Sequence, residues 1–147
     1  RPVDSLKSKP YASCFRDGPY QALYPFGYGL SYTTFEYSNE EVKVEGQGAE
    51  RKIVLSCEVK NVGNVPGVEI VQAYTRQMIG VESMPIRELR AWKRVFLAPG
   101  VTRKVTIEIP YSQLSYWSKD QLIPASGKMR AWVCHDSVSG KTLKFEL

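Results

Sequence analysis

From about Thr33 onward the chain runs as short stretches of β-branched and aromatic residues, separated at regular intervals by turn clusters. That spacing predicts an all-β sandwich or barrel. The clearest strand is 52–62: Ile53, Leu55, Cys57 and Val59 fall on one face, with Ser56, Glu58 and Lys60 on the other. Half-burial of a strand demands this period of two, and the phase makes Cys57 core filler. Asn61-Val-Gly-Asn-Val-Pro-Gly67 reads as a turn into the next strand, Val68 to Arg76. In 102–109, Val105, Ile107 and Ile109 share a face opposite Lys104, Thr106 and Glu108. Ala98-Pro-Gly100 leads into this strand, and Pro110 ends it by removing a ladder donor.

Two segments are less regular. Between Ile86 and Leu97 the spacing of Leu89, Trp92 and Val95 suits a helix, but the stretch is short and ends in β-formers, so it reads as a bend followed by a strand. Tyr111 to Trp117 predicts a helical turn that points both Leu114 and Trp117 at the core. Gly127 to His135 and Lys141 to Leu147 make a final hairpin around Asp136-Ser-Val-Ser-Gly140, bringing the count to seven or eight strands.

The first 23 residues have no such period and are rich in Pro, Ser, Lys and Tyr, as an extended connector lying on a neighbouring surface would be. We divide the chain into a connector, 1–32, and a sandwich, 33–147. The connector ends in an unusual run that sets Tyr24, Phe26, Tyr28 and Tyr32 around one Pro and two Gly. Such rings offer large flat apolar area with polar tips, and the glycines let another segment approach closely. Either the rings stack on a sugar or they plug an adjoining domain, and their place at the linker boundary argues for the plug. Trp132, which alternates with Ala131 and Val133 and so points outward, is the other sugar-stacking candidate, with Trp92 beside it.

Composition narrows the chemistry. The 147 residues are 43% apolar and 24% charged, and a chain of this size buries roughly 68–70% of its unfolded surface, enough for one core. No run approaches the ~18 apolar residues of a membrane span, and no charged segment followed by an apolar run opens the chain as a signal peptide would. A membrane partner is not expected. Because the first residue is Arg1, the chain reads as a processed product or a piece of something longer.

Twenty Lys and Arg against 15 Asp and Glu give a net charge of +5. The cluster of Arg87, Arg90, Lys93, Arg94, Arg103 and Lys104 reads as a solvated strand face rather than a nucleic-acid patch. Cys14, Cys57 and Cys134 have no CxxC spacing, so neither a zinc site nor a disulfide framework is indicated. His135 is the single histidine, and its neighbour Asp136 would point to the opposite face of a strand, so no triad assembles there. Glycoside hydrolysis needs two facing carboxylates about 5–9.5 Å apart, yet Glu58, Glu108 and Glu146 stand in exposed strand phase. Gly27 and Gly29 lack the third glycine and the helix of a phosphate loop. Catalytic residues, cofactor and metal are therefore all assigned as none.

The segment Tyr24-Pro-Phe-Gly-Tyr-Gly-Leu-Ser-Tyr-Thr-Thr-Phe35 resembles the signature that opens the C-terminal fibronectin type III-like domain of family 3 glycoside hydrolases, the β-glucosidase and β-xylosidase group. Val59-Lys-Asn-Val-Gly63, Gly67-Val-Glu-Ile-Val-Gln-Ala-Tyr74, Pro85-Ile-Arg-Glu-Leu-Arg-Ala-Trp-Lys-Arg-Val95, Leu97-Ala-Pro-Gly100 and Leu114-Ser-Tyr-Trp117 follow in the same order. Arg1-Pro2 and Cys14-Phe-Arg-Asp17 resemble the connector before that signature. The resemblance implies an immunoglobulin-like antiparallel β-sandwich whose partners are the catalytic domains of the parent glycosidase in cis, in an extracytoplasmic setting. It also implies that the chemistry lies elsewhere: the nucleophilic aspartate belongs to an N-terminal (β/α)8 barrel and the acid/base glutamate usually to a following α/β domain. The barrel alone needs ~250 residues, so no catalytic role passes to this chain, which acts as a non-catalytic stabilising module or, alternatively, as a carbohydrate-binding one. Val133-Cys-His-Asp-Ser137 departs from the glycine and paired serines common in relatives and leaves the geometry of that hairpin open.

Overall fold

The computed structural model describes residues 23–78 and 86–147; the connector before residue 23 and the loop 79–85 lie outside the described residues. Among the described residues nine strands follow in order: β1 (Phe35–Glu45), β2 (Lys52–Asn61), β3 (Gly67–Gln77), β4 (Glu88–Leu97), β5 (Thr102–Pro110), β6 (Tyr116–Ser118), β7 (Gln121–Ile123), β8 (Lys128–Cys134) and β9 (Leu143–Glu146). Short 3-10 turns occupy Gly48–Glu50 and Tyr111–Leu114. A three-stranded sheet, β1-β2-β5, faces a four-stranded one, β4-β3-β8-β9, and β6-β7 form a separate hairpin. The pairings are antiparallel throughout, as in an immunoglobulin-like sandwich.

The core is the product of the period of two. Ile53, Leu55, Cys57 and Val59 from β2 and Val105, Ile107 and Ile109 from β5 meet Val71 and Ala73 from β3, Val95 and Leu97 from β4, and Met129, Ala131 and Val133 from β8. Burying each large aliphatic side chain stabilises the fold by about 1.5–3 kcal/mol. Burial also pushes the Cys57 thiol up to about 12, so it is inert packing.

Two local expectations change, and the hairpin left open takes a definite form. The spacing of three in Ile86–Leu97 is a β-bulge: Tyr74 pairs with Leu89 and Ala73 with Ala91, so Arg90 has no cross-strand partner. One extra residue inverts the phase and puts Leu89 and Trp92 on the same outward face. The predicted helical turn lasts only through Leu114, which is buried. Ser115 is extended, and Trp117 then pairs with Leu122 in the β6-β7 hairpin, 70% exposed rather than in the core. Last, the turn after β8 is built by Asp136, whose Oδ1 accepts the N–H groups of Val138 and Ser139 at 2.9 and 2.7 Å.

One polar residue organises an entire end of the sandwich. Asn61 is fully buried. Its Nδ2 donates to Val65 O (2.8 Å) and Leu97 O (3.0 Å), while its Oδ1 accepts from Thr33 Oγ1 (2.6 Å) and Gly63 N (3.0 Å). Its backbone N–H donates to Val101 O, and its carbonyl accepts from Gly100 N. All four side-chain bonding positions of an amide are thus used, tying the start of β1, the β2-β3 turn and the end of β4 together. Asn61→Ala should destabilise the chain by about 3–5 kcal/mol, because several buried partners lose their bonds at once. Thr33→Val, which loses one bond, should cost about 1 kcal/mol. Urea unfolding followed by tryptophan fluorescence measures both, and equal costs would refute the shared junction.

Candidate functional site: the outer sheet face and its aromatic segment

In β3 and β4 one set of residues turns away from the core. Cross-strand partners share a face, so Val68 with Phe96, Ile70 with Arg94, and Gln72 with Trp92 form successive outward rungs. Trp92 is 63% exposed, and Phe96 and Ile70 are also open to solvent. Single exposed apolar side chains need no explanation, but a contiguous set marks an interaction surface.

The aromatic segment continues this set. Phe26 and Trp92 line one groove together with Gly27, Ile70, Gln72 and Leu89. Gly29, Leu30 and Ser31 line the neighbouring one with Val68, Glu69 and His135. Hydrogen bonds hold the segment there: Gln72 Nε2 donates to Gly27 O at 3.0 Å and to His135 O at 2.5 Å, and Ser137 N donates to Phe26 O at 2.9 Å. Gln72 is itself oriented by Tyr74, whose Oη donates to Gln72 Oε1 at 2.6 Å. Burial raises the Tyr74 phenol to about 12, keeping it a neutral donor. Gly27 has φ +81°, and a Cβ there would stand 2.2 Å from Gln72 Oε1. Only glycine satisfies both demands.

The backbone is therefore anchored while the rings are not covered. Tyr24, Phe26, Tyr28 and Tyr32 are all exposed, Phe26 by 68%, and Tyr24 and Tyr28 meet with ring centroids 5.2 Å apart. The residues 23–32, read as connector, are docked on the sandwich along this line.

Trp132 is corrected. It does leave the inter-sheet core, as its phase requires, but it is only 5% exposed, packed with Tyr74, Cys134 and Leu89. The Arg87 guanidinium lies 4.3 Å from its ring centroid, and its Nε1 donates to Thr142 Oγ1 at 3.0 Å. A ring already covered by a cation offers no stacking face to a sugar. The structure instead brings Trp92 together with Phe26. Phe96, Ile70 and the Gln72 latch escaped the sequence reading. Phe96 alternates with the buried Val95 and Leu97, a signal available in the sequence, but nothing local marks Gln72.

A polar cluster closes one end of this face. His135 follows the last residue of β8, so strand alternation no longer holds, and its Nε2 lies 3.2 Å from Asp136 Oδ2, contrary to the expected divergence. Burial alone would raise the Asp136 carboxyl, but the bonds from Val138 and Ser139 and the charge of His135 outweigh it and hold it below the ordinary range. Tyr37 Oη donates to Glu69 Oε1 at 2.6 Å. Burial raises the Glu69 carboxyl more than the Tyr37 bond and His135 lower it. The Phe26–Trp92 groove holds no carboxylate, and its neighbour and the two grooves lined by Glu88 and by Glu146 hold one each, not a facing pair. Among the described residues no group of three or more His, Cys, Asp or Glu is placed to hold a metal.

Two expectations follow from this geometry. A carboxyl whose folded pKa is raised holds its proton more tightly when folded, so its contribution to stability is lost as pH rises from the ordinary carboxylate range through the raised value. Glu69→Gln should raise the Tm at about pH 7 and lose that advantage near pH 4, whereas an advantage that does not change with pH would contradict the burial of this carboxyl. Gly27→Ala should free residues 23–30 by breaking the Gln72 latch. Hydrogen exchange at the Ser137 amide should accelerate at least about tenfold while core strand amides stay protected, and an unchanged Ser137 rate would refute the latch.

Comparison with known proteins places this architecture. Residues 69–137 match the family model of the fibronectin type III-like domain. The chain is 32% identical, along all of its length, to 19% of a periplasmic β-glucosidase of Salmonella typhimurium. It is 36% identical, over 89% of its length, to 17% of a putative β-xylosidase of Formosa agariphila. Among solved structures, a β-glucosidase of Erythrobacter marinus superposes with a TM-score of 0.82 at 29% identity, over 92% of this chain and 18% of that one. A β-glucosidase of Listeria innocua in complex with isofagomine gives a TM-score of 0.82 at 28% identity, over 97% of this chain and 20% of that one. The chain spans less than a fifth of the length of these curated relatives. The sandwich, its strand order and these matches together make the chain a fibronectin type III-like domain of the kind carried by the β-glucosidases and β-xylosidases of glycoside hydrolase family 3.

Proposed function

We propose that this chain is the non-catalytic C-terminal module of a larger β-glucosidase-like polypeptide and stabilises the catalytic domains by packing its outer sheet face against them. The observation that carries this reading is the anchored backbone of residues 26–27 beneath exposed rings: the Gln72 latch presents Phe26 beside Trp92 and Ile70 instead of burying them. Rings whose backbone is already anchored lose less conformational entropy when a partner covers them. Tyr24, Tyr28 and Tyr32 extend the same surface, and their hydroxyls suit a contact with an apolar centre and a polar rim. The small share of the relatives' length that the chain spans supports a location within a longer polypeptide, and the periplasmic relative supports an extracytoplasmic one.

The exposure of Trp92 favours a second reading, in which it and Phe26 stack on carbohydrate. Paired variants separate the two. Phe26→Ser with Trp92→Ser should change the stability of the isolated chain by no more than about 0.5 kcal/mol per site, since both side chains are exposed. In the polypeptide extended upstream as encoded, the same changes should each cost about 2 kcal/mol, as central apolar contacts do. The readout is faster heat inactivation of aryl β-glucoside hydrolysis. An unchanged inactivation rate would remove the packing reading, and glucan-gel retardation of the isolated chain that Trp92→Ser abolishes would install the sugar reading in its place.

A further inference from the structure

The same outer face carries a second, chemically different feature toward its other end. Arg76 on β3 is paired with Arg130 on β8, and Arg130 with Lys144 on β9, so three cations stand in one rung across three strands. Directly opposed side chains have Cβ atoms about 4.5–5.5 Å apart, and like charges so placed destabilise a sheet. No ion pair among the described residues reaches them. The ion pairs among the described residues join Lys52 to Glu45 and Glu108, Arg90 to Glu88, and His135 to Asp136. Glu146, in the next rung opposite Lys128, pairs with none of the three. Arg87, the nearby fourth cation, is engaged by the Trp132 ring and by Ser139 O. The Nε of Arg76 is buried with no hydrogen-bond partner, a condition that costs stability unless something else supplies an acceptor. Beside the row a groove opens, lined by Met78, Lys128, Arg130, Lys144, Phe145 and Glu146.

We infer that Arg76, Arg130 and Lys144 form a carboxylate site, which takes an acidic side chain from the protein surface docked on the outer face. This rests on the packing function proposed above and names the chemistry of the partner. A guanidinium fork matches a carboxylate in two parallel bonds, and a compact ammonium adds a point charge. One carboxylate seated on the row would relieve both like-charge pairs. The row lies four residues along β3 from the Gln72–Trp92 rung, about 13 Å at strand rise, so one flat partner surface covers both ends. Apolar contact at one end and a charge pair at the other also fix the orientation of docking.

The test uses the chain as it stands, with hexaglutamate peptide and inorganic phosphate as probes. On NMR titration, hexaglutamate should shift the amides of Arg76, Arg130 and Lys144 together with the Arg76 Nε–H signal, and added salt should weaken the binding. Arg130→Gln and Arg130→Glu should each weaken it by about tenfold or more, and the milder variant guards against misfolding. Binding should survive Phe26→Ser with Trp92→Ser. No shift at the row, or phosphate binding there more tightly than hexaglutamate, overturns the carboxylate site. If hexaglutamate fails while the Phe26 and Trp92 variants still destabilise the longer polypeptide, this inference alone falls. If it binds while those variants do nothing, the carboxylate site stands and the packing reading falls.

Discussion

The sandwich depends on a buried amide that has no unmet bond. Asn61 sits where the start of β1, the β2-β3 turn, the end of β4 and the β4-β5 turn converge, and its side chain and backbone bond to six different residues there. Apolar packing is non-directional and cannot by itself choose one turn geometry over another. A satisfied polar junction in a dry interior can, because every misplaced strand end leaves a donor or acceptor unmet. Gly63 belongs to the same constraint, since a Cβ there would lie 2.2 Å from Thr33 Oγ1.

With that end closed, the two faces of the four-stranded sheet take separate roles. The inner face fills the core, and the outer face is divided between aromatic rungs and a rung of cations. The bulge at Arg90 adds to the apolar part of that face: it turns Leu89 outward on the side of Trp92, while Ala91, Val95 and Leu97 stay inward. Arg90 itself turns to Glu88 and to Gln113 O, holding the end of the strand. A single extra residue thus places Leu89 beside Trp92 on the outer face.

The aromatic segment extends the surface because Gln72 and Ser137 grip its backbone while its rings stay free. Two features left unpartnered in the free chain, exposed rings and opposed like charges, share one face. The proposed partner, apolar at one end and acidic at the other, would cover both. Trp132 shows the contrast within that face, since Arg87 and Thr142 already satisfy it.

Much of the fold was legible in the residues. Alternation in 52–62 and 102–109 identified β2, β5 and their core faces, because a half-buried strand writes its burial at every second position. The aromatic run and its boundary position set that segment apart from the strands, since its rings have no periodic partner. What the linear order could not show was anything depending on a residue's distant neighbours. Trp132 has outward phase but is covered by a guanidinium 45 positions away, and His135 meets Asp136 only because the strand stops one residue earlier. The latch of Gln72 on Gly27, the four bonds of Asn61 and the row Arg76–Arg130–Lys144 join segments brought together by strand register. The sequence by itself determined which positions avoid water; tertiary structure decided which of the remainder find partners, because hydrogen bonds and charge pairs act only over a few ångströms between groups that folding must first assemble.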